Sequence, residues 1–192
     1  MTKGERTRQR LLEAAIRRFA ADGYRRTSVS DIARDAGLTP AATYAYFPSK
    51  DALFRAAVDE DAAALIEQAT PAEGAPGALT ERWLAVPALL QNALDQHPLA
   101  KRVLGAQEPE VLPQLLELPS LAELRKRLAS DFRAAQRDGT ARRDIDADQL
   151  AMGLETIVLA LLMAGVHVPQ DLERSAGVLS VLDAATRLPD DA

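Results

Sequence analysis

The chain has 192 residues, 47% hydrophobic and 27% charged, with no Cys. Such a chain can hold one sizeable core, or a small module joined to a larger one; disulfide scaffolds, Cys-based zinc sites and thiol catalysis are excluded. The net charge of −5 is unevenly divided: residues 1–50 hold ten Lys or Arg against five Asp or Glu, whereas the other 142 hold thirteen against twenty-three. A basic head, suited to phosphate, precedes an acidic body.

The opening residues, Met1 to Arg6, are charged and lead into no signal-peptide-like apolar run. The longest apolar stretch, 157–168, is about half a membrane span. A cytoplasmic protein without a membrane partner is expected. Leu12, Ile16 and Phe19, with Leu11 and Ala15 beside them, recur at helical spacing, and Asp22-Gly23 ends that first helix. Ser28, with Asp31 three residues on, resembles a capping box opening a second helix over 28–36, whose inner face is Val29, Ile32, Ala33 and Ala36. Gly37 stops it. Thr39-Pro40 opens a third, 39–47, with a hydroxyl N-cap followed by Pro at the first position. Pro48 breaks that helix and Ser49 caps a long fourth one reaching about Gln68.

Residues 70–77 form the one clear flexible connection. Beyond it helices are predicted at roughly 79–96, 98–106, 110–117, 120–137, 147–167 and 170–187, with borders at Pro, Gly and Asp residues and a kink at Pro87. Nowhere do β-branched residues alternate over a strand length. The fold class is therefore all-α, about nine to ten helices: an N-terminal three-helix helix-turn-helix domain over 5–65 and a C-terminal helical bundle over 70–192.

Two short helices about a Gly-containing turn, 28–47, are a helix-turn-helix candidate. In that motif the second helix enters the major groove while the first crosses the backbone. Ile32, Ala33 and Leu38 hold the pair together, and the small residues Ala41, Ala42 and Ala45 let its backbone approach base edges.

The run Asp31-Ile-Ala-Arg-Asp-Ala-Gly-Leu-Thr39, followed by Tyr44-Ala-Tyr-Phe-Pro-Ser-Lys-Asp-Ala-Leu53, looks like the DNA-binding signature of the TetR family. The segments Phe19 to Tyr24 and Thr27 to Val29 match at the right offsets, so the resemblance covers about residues 6–55. It implies a ligand-released repressor that binds a palindromic operator in double-stranded DNA as a homodimer. It implies phosphate contacts by Thr27, Ser28, Tyr44 and Lys50, and a major-groove face of Thr39, Pro40, Ala41, Thr43 and Tyr46. Phe47 is expected in the core, and Tyr24 there with its hydroxyl near solvent. Arg8, Arg25, Arg26 and Arg34 read equally as solvated face or phosphate contacts. Thr43 departs from the family, which usually has an apolar residue there, as does Ala45, often a larger polar one. Thr and Ala methyls can touch a thymine methyl, so modest direct readout is expected, with more specificity from phosphate placement and DNA shape.

Past residue 70 the resemblance lies in layout. It implies an effector-binding and dimerisation body whose last two long helices pair with those of a second copy. Leu154, Ile157, Leu161, Val178 and Leu182 are the interface candidates, since a helix apolar on more than one side must be buried on more than one side; a purely intrachain core is the alternative. The pocket for a small-molecule effector would draw on Trp83, Gln91 and Glu155. Trp83 reads as ordinary core, Glu155 as an ion pair or solvent-facing acid, and His97, before Pro98, as a cap. With two His, no Cys and no Gly-rich phosphate loop, nothing supports an enzyme, a metal site or a cofactor. A DNA-binding protein that uses no ligand, or an activator, remains open.

Overall fold

The computed structural model describes residues 2–72, 79–109, 112–167 and 172–186; they are helical, with no strand among them. Local signals account for most helix ends. Helix α1 (Lys3–Arg26) opens on a capping box in which Thr2 Oγ1 accepts from Glu5 N at 3.2 Å and Glu5 accepts from Thr2 N at 2.6 Å. Gly23 breaks α1 in the left-handed region at φ 79, but one more turn follows before the chain leaves at Thr27. Helix α2 (Val29–Asp35) is capped by Ser28, and Gly37 reverses the chain at φ 69. Helix α3 (Pro40–Tyr44) is shorter than expected. Past Tyr44 the chain tightens, with both Tyr46 and Phe47 donating to Thr43 O, because the residue before Pro48 is held away from helical ψ. Ser49 Oγ then caps α4 (Lys50–Ala69) through Ala52 N at 3.0 Å.

Pro87 does more than kink its segment. The chain forms α5 (Leu79–Leu84) and α6 (Val86–Ala93), broken at Ala85, with a 3-10 turn over Leu94–Gln96. Next come α7 (Pro98–Leu104), a 3-10 segment (Leu112–Glu117) where a helix was expected, α8 (Pro119–Arg137), α9 (Ala147–His167) and α10 (Leu172–Thr186). The expected connection at 70–77 and the border at Pro169 fall largely outside the described residues.

These elements form two compact units, 1–65 with 94–115, and 66–93 with 116–192. In the first, Phe19 and Phe54 meet edge to face at 4.8 Å between centroids and Tyr24 stacks beside them, above a floor of fully buried Leu11, Leu12, Ile32 and Leu53. Helix α7 belongs here because Asp61, buried on α4, receives its first free amides: Leu99 N at 3.0 Å and Ala100 N at 2.8 Å, with His97 Nδ1 at 3.1 Å. Glu108, also buried, accepts from Tyr24 N at the break in α1 and pairs with Arg102 at 2.5 Å. In the second unit α9 lies along α8, with α6 against α9 and α5 against α8 and α10. Asp146 Oδ1 caps α9 through Asp148 N and Gln149 N.

Candidate nucleic-acid interface

Three contacts fix α2 and the turn that follows it. Leu38 N donates to Ala33 O at 2.8 Å across the turn. Arg18 reaches from α1 to Asp35 with Nε at 2.5 Å and Nη2 at 3.0 Å. That hydrogen bond, followed by the charge attraction, holds the Asp35 carboxyl below its ordinary range and raises the Arg18 guanidinium. Ser28 donates to Asp31 Oδ2 at 2.6 Å and so does the most to depress that carboxyl, with Arg34 adding to it. The reciprocal bond of the expected capping box thus goes to the Ser28 hydroxyl rather than to its backbone.

One face of α3 is open. Thr39, Pro40, Ala41, Tyr44, Ala45 and Tyr46 are exposed, Tyr44 by 51% and Tyr46 by 37%. Thr39 Oγ1 accepts from Ala42 N at 3.2 Å, which starts the helix as expected. Ser28 is exposed and Lys50 half-buried, its Nζ 4.4 Å from the centre of the Tyr24 ring. Phe47 is buried, with the Arg8 guanidinium 5.3 Å from its ring centre. Neither cation–π contact was visible in the sequence, because each joins residues far apart in the chain.

Two of the expected DNA-facing residues are corrected. Thr43 is completely buried, and its hydroxyl donates to Thr39 O at 3.3 Å. It occupies the apolar family position as a core residue, with its one polar group satisfied inside the helix. Thr27 is only 4% exposed and donates its hydroxyl to Gly23 O at 2.8 Å, closing the end of α1; it has no side chain to offer a phosphate.

Of the three effector-pocket candidates, Trp83 and Glu155 have their polar atoms in use. Trp83 is buried and donates to Asp131 Oδ2 at 3.0 Å. Glu155 is 4% exposed and takes Arg125 Nε at 2.5 Å and Nη2 at 3.3 Å, which is the ion-pair reading. Half-buried Gln91 lies against Gly165, where an added Cβ would collide with its carboxamide. Of the interface candidates, Leu154 is 8% exposed and packs into its own bundle. Ile157 and Leu161 remain half-exposed, and the side chains of Val178 and Leu182 lie outside the described residues.

Known proteins share this arrangement. The family described as bacterial regulatory proteins, tetR family, matches at residues 11–57. The HTH-type transcriptional regulator YdgC of Bacillus subtilis (strain 168) is 30% identical, over 94% of this chain and 93% of that protein. The HTH-type transcriptional repressor Rv1474c of Mycobacterium tuberculosis is 27% identical over 94% and 92%. Among solved structures, Salmonella enterica GusR superposes with a TM-score of 0.63 at 25% identity, covering 96% of this chain and 97% of that one. Full-length TylP, a TetR regulator from Streptomyces fradiae, superposes with 0.66 at 20% identity, covering 98% and 90%.

Proposed function

The chain belongs to the tetR family of bacterial regulatory proteins, and on that premise we propose that it is a cytoplasmic, DNA-binding transcriptional repressor, which binds a palindromic operator as a homodimer and leaves it when a small molecule occupies the body. The observation that carries the DNA reading is the open face of α3. This short helix, with Pro40 and Ala41 exposed ahead of Tyr44, stands on the part of the chain with an excess of Lys and Arg. Phosphate contacts would come from Tyr44 and Lys50, which flank that face, and from Ser28 once its hydroxyl turns from Asp31 to the phosphate, and would set register without reading sequence.

The dimer reading draws on α9. By length and composition this helix is apolar enough to cross a membrane, yet only 22% of its most apolar 18-residue window is buried within the chain. Its Leu150, Ala151, Leu154 and Leu162 are spent on its own bundle. Met152 stays 54% exposed and Val181 on α10 64%, while Ile157 and Leu161 are half-covered. A second copy of the same face would remove that surface from water and present two α3 helices about 34 Å apart, one turn of DNA. Release would follow from linkage: an effector that favours another spacing of the two α3 helices lowers operator affinity by no more than its own preference between the two states.

A second reading, repression without an effector, is favoured by the pairing of Trp83 with Asp131 and of Glu155 with Arg125. A ligand using those groups would have to displace Arg125 or Asp131. Mobility shifts with the DNA upstream of the chain's own gene, at several salt concentrations and with candidate compounds, distinguish the two. Sedimentation should give twice the 20.7 kDa of one chain. A monomer, or binding indifferent to duplex sequence, overturns the proposal.

A further inference from the structure

From Ala36 to Ser49 the chain contains no Arg, Lys, Asn, Gln, Asp or Glu. These are the side chains that hydrogen-bond base edges, and Arg, Lys, Asn and Gln supply the bidentate contacts that distinguish guanine and adenine in the major groove. The two threonine hydroxyls are already in use within the helix, and the tyrosine hydroxyls stand at and past its C-terminal end. Thr43 is buried with its hydroxyl given to Thr39 O, and Thr39 Oγ1 is engaged by Ala42 N. What α3 and its C-cap present is the Pro40 ring and the methyls of Ala41 and Ala45, with Tyr44 on the last position of the helix and Tyr46 just past it.

The apolar feature that a base pair offers in the major groove is the C5-methyl group of thymine. We propose that α3 reads its operator by apolar contact of Pro40, Ala41 and Ala45 with thymine C5-methyl groups. The inference rests on the operator-binding reading above and names the chemistry that reading leaves open. A G·C pair offers this face no methyl group, so the apolar contact is gained only at A·T pairs. A 5-methylcytosine keeps the methyl that cytosine lacks and so restores part of the contact.

The experiment uses the full chain and a duplex selected by it from a random 30-base-pair library. The selected duplex is resynthesised with deoxyuridine for thymidine, which removes only the methyl groups, and titrated by fluorescence anisotropy at one salt concentration. Each lost methyl contact should weaken binding about fourfold, so losing one in each half-site should weaken it more than tenfold. In Ala41→Gly the preference for thymine over uracil should shrink. Being a ratio, it is insensitive to any loss of folded protein, and an effect of uracil on DNA flexibility alone would leave it unchanged. Equal binding of the two duplexes overturns the inference and leaves the DNA-binding reading intact. So does a preference unchanged in Ala41→Gly, or a selected guanine whose 7-deaza replacement costs more affinity than the uracil swap. Failure to enrich any sequence overturns the reading on which the inference stands.

Discussion

Asp61→Ala tests whether α7 is held by a carboxylate supplied from another helix. His97 stands at the N-cap of α7 but makes no side-chain cap bond. Asp61 substitutes for it, taking Leu99 N at 3.0 Å and Ala100 N at 2.8 Å on Oδ2 while Oδ1 lies 3.1 Å from His97 Nδ1, all in buried surroundings. Truncation removes an N-cap, about 1 kcal/mol, and leaves buried donors without an acceptor, roughly 1–3 kcal/mol more. The sum is about 3 kcal/mol. At about 2–4 °C per kcal/mol for a chain of this size, melting should fall by roughly 6–12 °C. Asp61→Asn keeps an acceptor oxygen and should lose about 1 kcal/mol. Circular-dichroism melts at matched protein concentration give the difference, since dimerisation makes melting concentration-dependent. The Leu99 and Ala100 amides should also exchange faster with solvent. A melting point for Asp61→Ala within 2 °C of the parent, as an order of magnitude set against that same expectation, would refute the capping argument.

Thr43→Val should change stability by less than about 1 kcal/mol and leave operator affinity within about twofold, because its hydroxyl bonds only within the helix; a base-reading Thr would cost roughly fivefold or more. Gly23→Ala forces a Cβ into the left-handed region at φ 79, within 2.5 Å of Arg102 Nη2 and 2.8 Å of Glu108 Oε1, so a loss of about 2 kcal/mol or more is expected in a denaturant titration. Asp35→Asn should be less stable than the parent at neutral pH. The Asp35 carboxyl is depressed below its ordinary value chiefly by its hydrogen bond from Arg18. Its stabilising effect is therefore complete above that value and fades as pH falls toward the lower folded-state value, and acid melts of the two proteins should converge there.

Start and stop signals were legible because they act within a turn or two. Ser28, Thr39 with Pro40, Ser49 and Asp146 each satisfy amides two or three residues away, and Pro48 and Pro87 interrupt helices by their own covalent geometry. The all-α class and the place of the helix-turn-helix follow from those signals and from apolar spacing. The direction each side chain faces did not. Thr43 and Tyr44 are neighbours in a polar-looking stretch, yet one is fully buried and the other half exposed, because packing against α2 chose the rotation of a helix only five residues long. On α9, Leu154 turned inward and Met152 outward for the same kind of reason, since a helix apolar all round carries no mark of which side its own chain will cover. The grouping of 94–115 with the N-terminal residues rests on Asp61 meeting α7 and on Glu108 meeting Tyr24, pairings across 38 and 84 positions. Only folding brings such residues within hydrogen-bond range, and once buried they are held there because a charge removed from water must keep its partner.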